Sequence, residues 1–191
     1  ETLAYNGVYT YTAPTVEGKV PSHDYIKYTV GGANQVYNIY YSEVDILEST
    51  TVASTSLSGE GTEASPYLIS SAADFLYFKD NAITEGLVSA YVKLTKTIDL
   101  NNINIRVAGT YKGNFDGNNC AIRGINITNA TEAETKTALF DTISGTIKNL
   151  SIYGKVTNSG SGNGTSGLTG VLSKGTLTNI SNYVDVTGAA R

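Results

Sequence analysis

One cysteine, Cys120, and one histidine, His23, occur among 191 residues. A single thiol excludes an intrachain disulfide and any multi-cysteine zinc site, and beside Ile122 it reads as a small buried hydrophobe. A Ser-His-Asp or Cys-His nucleophilic site would have to use His23, which lies in the sequence Pro21-Ser22-His23-Asp24, far along the chain from Cys120. It reads as an exposed loop histidine. Charge is scarce too, at 16 % of residues against roughly 25 % in an average globular protein. Net charge is −4, and the 13 Lys and Arg are scattered singly. Without a basic stripe and interleaved aromatics, nucleic acid is excluded as an expected partner and an anionic membrane is disfavoured. No apolar run approaches the roughly 18 residues of a spanning helix, so no membrane insertion is expected. Methionine is absent even at position 1, and neither a signal peptide nor an anchor is visible. The chain therefore reads as processed, or as part of a longer multidomain protein.

What is abundant is Thr, Ser, Asn and Gly, a polar surface of the kind secreted β-rich proteins use, and the expected location is extracellular, at a cell surface. One phrase occurs twice: GTIKNLSIYGKV from Gly145 and GTLTNISNYVDV from Gly175, 30 residues apart. Repeats with periods of roughly 20 to 50 residues mark stacked units, each too small to bury its own apolar face. Gly145, Ile147, Asn149 and Leu150 correspond to Gly175, Leu177, Asn179 and Ile180. Aliphatic residues recur at Ile122, Ile125 and Ile127, at Ile147, Leu150 and Ile152, and at Leu177 and Ile180, with leading positions 25 and 30 residues apart. That is about one coil of a parallel β-helix, if three short strands rise roughly 3.3 Å per residue between turns. A leucine-rich repeat would need an amphipathic helical stripe in every period, and none is present. Gly and Asn suit the corners, where positive φ is often required. Asn149 and Asn179 could form an amide ladder between coils or bond each to its own turn.

Residues 1–55 differ from the remainder. Eight tyrosines crowd this stretch, and VYTYTAP, DYIKYTV and QVYNIYYSEVDIL each alternate as half-buried strands do. Gly31 and Gly32 read as a hairpin connection. These residues are expected to form a small antiparallel segment, Ig-like or capping a solenoid. Ser49–Gly61 has linker composition, so residues 56–191 form the second expected unit. Within it, Ser70 or Ser71 can N-cap a short helix with Asp74 in its first turn. Its apolar stripe is expected at Ala73, Leu76 and Tyr77, with Ala72 and Phe75 nearby. Ser159–Gly167, SGSGNGTSG, reads as a mobile loop; no Gly-Lys-Ser or Gly-Lys-Thr follows, so it is not a phosphate loop.

GTEASPYLIS with AADFLYF, then YVKLTKTIDL, GNFDGNNCAIRGINI, ALFDTISGTIKNLSIYGKV and GLTGVLSKGTLTNISNYVDVTG, taken in that order, resemble the GLUG-type repeat region of bacterial adhesin-like surface proteins. The resemblance covers about Gly59 to Gly188. Asn119 stands where a second glycine is usual, and Asp141 interrupts the usual G-L-F-G. The resemblance implies an all-β fold, a short right-handed parallel β-helix with one short capping helix, in a surface protein. It implies no activity.

Parallel β-helices also carry polysaccharide lyases and hydrolases, whose chemistry needs carboxylates converging with an Arg or Lys. The candidates are Asp99, Asp116 and Asp141 with Arg106, Lys112 and Arg123. Asp99 and Asp116 precede Asn- and Gly-rich turns, where a carboxylate bonds local N–H groups. Asp99 with Asn101, Asn102 and Asn104, or Asp116 with Asn118, could offer oxygens to calcium, but neither follows an EF-hand or nonapeptide pattern. No cofactor is expected. Asn126, Asn129, Asn149, Asn163 and Asn179 head glycosylation sequons, which matter only in a eukaryotic secretory source. The expected function is a non-catalytic surface module, a stalk or a binding face for a host or environmental glycan or surface protein. A carbohydrate-active enzyme and a surface-filament subunit are the alternatives.

Overall fold

The computed structural model describes residues 4–31, 35–84, 86–130, 136–160 and 164–188. Near its start, β1 (Val8–Thr12) pairs antiparallel with β3 (Tyr25–Thr29), and β2 (Val20–Pro21) pairs antiparallel with β4 (Tyr41–Ser42). These are two separate two-stranded pairings rather than two facing sheets. The Gly31-Gly32 connection falls largely outside the described residues.

Every later ladder pairing between named strands is parallel. β5 (Val44–Ile46), β6 (Tyr67–Ile69), β7 (Tyr91–Leu94), β8 (Thr97–Asp99), β10 (Asn114–Asp116), β11 (Ala121–Asn129), β13 (Thr146–Asn158) and β15 (Thr176–Thr187) make one sheet. β9 (Val107–Tyr111), β12 (Phe140–Ile143) and β14 (Thr169–Leu172) make a second, three-stranded parallel sheet. The parallel sheet thus begins before residue 56, because Val44–Ile46 pairs with Thr97–Asp99.

The large sheet curls because β13 serves two arms. Thr146–Lys148 pairs with β10, whereas Ser151–Asn158 pairs with β11. Between them Asn149 has φ 53°, a left-handed turn of the chain that Asn tolerates better than most residues. Asn179 repeats it in β15 at φ 53°. The all-β expectation with one short helix holds among the described residues. The expected closed solenoid is not formed: the strands make a curled sheet, and the three-stranded sheet stays separate, joined to it through irregular connections.

The coil spacing also needs correction. Ile122 lies beside Ile98 and Ile152, whereas Ile147 lies beside Phe115 and Leu177. Ile122 and Ile147 therefore belong to different columns, and their 25-residue interval is not a period. The 30-residue interval from β13 to β15 is, in unbroken register through Tyr153↔Tyr183 and Val156↔Val186.

Helix α1 (Ala72–Asn81) closes one end of the core. Ser71 is its N-cap, accepting from Asp74 N at 3.1 Å, while an Asp74 carboxylate oxygen accepts from Ser70 N at 3.0 Å. Its buried residues are Ala72, Phe75 and Phe78, not the expected Ala73, Leu76 and Tyr77 stripe; Leu76 and Tyr77 pack half-buried alongside. Both sets fit a 3.6-residue period, and the larger ring decides. Phe78 meets Phe75, Tyr111, Phe115 and Phe140 at centroid distances of 5.4–6.4 Å. Cys120 is buried, and burial pushes its thiol pKa up. The Ser159–Gly167 stretch is partly outside the described residues, but its flanks are built in. Gly160 is buried, and Ser166 N donates to Thr137 O at 3.1 Å.

Candidate functional site

Parallel strands in register place equivalent side chains about 4.8 Å apart on one face. Along the outer face this aligns Arg123, Tyr153 and Tyr183. The Arg123 guanidinium lies 4.1 Å from the Tyr153 ring centroid, and the Tyr153 and Tyr183 rings stack at 4.7 Å with an interplanar angle of 13°. Tyr183 is the last ring of the row.

The loop Pro21–Asp24 docks on that row. Asp24 receives Arg123 Nη1 and Nη2 at 3.2 and 2.5 Å, and Nη2 also donates to Pro21 O at 3.1 Å. Tyr153 O–H donates to Ser22 O at 2.9 Å and accepts from Asp24 N at 3.2 Å. Burial, with the Asp24 charge adding to it, holds the Tyr153 phenol well above the usual tyrosine range. His23 is not the exposed loop residue expected. Its Nδ1 lies 2.9 Å from Ser22 Oγ, its Nε2 lies 2.8 Å from Ser181 Oγ, and its ring stands edge-on to Tyr183. Burial lowers its pKa, opposed by the nearby Asp24 charge.

Between this docked segment and the sheet lies a groove of about 410 Å³. Tyr37, Tyr40 and Tyr183 line it together with Asn38, Asn119 and Ser181. No family model, curated protein or solved structure matches the chain. Function must be argued from these side chains.

The carboxylates singled out from the sequence do not converge. Asp99 Oδ1 accepts from Asn101 N at 2.8 Å, the turn role expected. Asp116 Oδ1 accepts from Asn118 N at 2.8 Å and from Asn149 Nδ2 at 3.0 Å, with Lys148 Nζ 3.5 Å from its other oxygen. Asp141 Oδ2 accepts from Gly109 N at 3.0 Å, and its Oδ1 lies 3.5 Å from Arg106 Nη1. Asp99 and Asp116 sit on different arms of the curled sheet, and Asp141 is in the three-stranded sheet. Lys112 is exposed, and Arg123 is committed to Asp24. Among the described residues no group of three or more His, Cys, Asp or Glu could hold a metal ion, and no helix is long and apolar enough to cross a membrane.

The repeat residues occupy structural positions. Asn179 Nδ2 donates to Asn149 Oδ1 at 3.0 Å, and Asn149 Nδ2 donates to Asp116, so the ladder is made and both asparagines are also corner residues. Gly145 and Gly175 lie where an added Cβ would meet backbone at 2.1 and 2.8 Å. Ile147 and Leu150 are buried, Ile180 packs partly buried on the core, and Leu177 is 36 % exposed. Tyr40 and Asn38 escaped sequence reasoning, because nothing in their neighbours' pattern says which surface they meet. The Tyr153–Tyr183 stack was signalled by the shared Tyr of the repeated phrase.

Proposed function

We propose that this chain is a non-catalytic extracellular module of a bacterial adhesin-like surface protein, with its curled sheet acting as an open, unclosed form of a right-handed parallel β-helix. It serves as a stalk or binding face for a glycan or surface protein. The observation that carries the non-catalytic reading is the fate of Asp99, Asp116 and Asp141. Asp99 and Asp116 accept from N–H groups of their own turns and Asp141 accepts from Gly109 N on the neighbouring strand β9, all on separate elements. A glycoside hydrolase needs two carboxyl groups within about 5–10 Å across one sugar. The 30-residue register and the Asp116–Asn149–Asn179 ladder support the stacked-coil reading. A glycan and matrix-protein array, with reducing-sugar release followed in parallel, tests it. Saturable binding without release is expected, and release would overturn it.

One observation favours the filament reading as a second possibility. Val171, Leu172, Leu177 and Val186 are 36–48 % exposed on β14 and β15, at the last layer of each parallel sheet, and β15 carries one charged residue, Asp185. Edge strands that must stay single are usually protected by charge, Pro or bulges. Sedimentation showing self-association that Val186→Lys abolishes would support this reading, and a monomer at high concentration would remove it.

A further inference from the structure

The groove beside Tyr183 has the chemistry of a sugar site. Its 410 Å³ falls within the roughly 300–1,000 Å³ of small-molecule clefts. Tyr37 and Tyr40 are 51 % and 47 % exposed, so neither ring is used up in packing. Asn38 and Asn119 side chains make no hydrogen bond to any described residue. Asn179 spends its Nδ2 on Asn149, leaving its amide oxygen unused. An asparagine amide can donate and accept at once, which suits vicinal hydroxyls, and tyrosine rings offer a flat apolar face with a polar tip.

The lining also excludes other ligands. Among the described residues it holds no carboxylate, and Lys27 and His23 are its only basic side chains, too few for a nucleic-acid backbone or an acidic peptide. Ile26 and Val36 are the only aliphatic residues among its described lining, too few to seat an apolar peptide. We propose that this groove, where the N-terminal segment meets the sheet, binds a neutral oligosaccharide, with a ring face on Tyr40 or Tyr37 and hydroxyls on Asn38, Asn119 and Ser181. This rests on the binding-module reading and narrows it to one surface and one ligand class.

The test is titration of the whole chain, by calorimetry and saturation-transfer NMR, with cellobiose, lactose, mannobiose and N,N′-diacetylchitobiose and their trimers. At least one should bind saturably, with transfer from tyrosine ring protons. Tyr40→Ala should lower its affinity about tenfold, the loss of a stacking ring at a binding hot spot, and Asn38→Ala should lower it several-fold. Both side chains are exposed, and Tyr40 keeps its backbone bond to Ser22 Oγ in the variant. Tyr5→Ala, 70 % exposed and outside the groove, should leave affinity unchanged. Binding that both groove variants leave intact would overturn the groove while sparing the binding-module reading. Binding of uronate or sulfated sugars alone would overturn the ligand class. Failure of all these sugars at about 10 mM, where a millimolar Kd registers, would overturn the proposal; the broader reading falls only if the protein array is silent as well.

Discussion

Ile147 and Leu177 are the same position in successive repeats, yet one is fully buried and the other is 36 % exposed. Truncating each to Ala removes three carbons. At about 0.8 kcal/mol per buried CH₂ the transfer loss at Ile147 is about 2.4 kcal/mol. Ile147 is flanked by Phe115 and Leu177 on neighbouring strands, so an enclosed cavity remains and the cost rises to about 3 kcal/mol. At Leu177 part of the surface already meets water and the void opens to solvent, so about 1 kcal/mol is expected. Urea unfolding followed by far-UV circular dichroism reads both. With m near 2 kcal/mol/M, midpoints should fall by about 1.5 M for Ile147→Ala and about 0.5 M for Leu177→Ala. Equal shifts at low protein concentration would refute the argument that β15 is an uncovered last layer. Ile147→Asp should go further and unfold the C-terminal strands, since a buried unpaired charge costs several kcal/mol.

His23 has a folded pKa below its ordinary 6.5, so its neutral form belongs to the fold. The stability it contributes is complete above about pH 6.5 and is lost as pH falls from there through the folded value; His23→Gln should flatten that part of a melting-temperature profile. Asn149→Ala should cost about 2 kcal/mol, combining two lost ladder hydrogen bonds with an alanine at positive φ, and Asn149→Gly should cost less because only the hydrogen bonds go. Thermal melts of the pair separate the two contributions. Arg123→Met should release the Pro21–Asp24 loop, several-fold faster cleavage after Lys27 in limited proteolysis being the readout, with a global cost near 1 kcal/mol because Asp24 is half-exposed.

How much was legible follows from where the information sits. The repeated phrase put Tyr153 over Tyr183 and Asn149 over Asn179, because a fixed period in parallel strands becomes a fixed register. The all-β class and the Ser71-capped helix followed from local chemistry. The column assignment of Ile122 did not, since β13 spans two arms and an aliphatic triplet does not reveal which arm it joins. Nor did the helix face, where Phe78 outweighs an equally periodic alternative. The docking of Asp24 on Arg123 and of His23 on Ser181 links residues 99 and 158 positions apart, beyond any local pattern. The Tyr40 groove exists only once those contacts form.

The most direct test of the central claim is to screen the purified chain on a glycan and matrix-protein array while following reducing-sugar release from the same polysaccharides. The account predicts saturable binding with no release. Release of sugar that Asp99→Asn, Asp116→Asn or Asp141→Asn abolishes would contradict it and make the chain an enzyme.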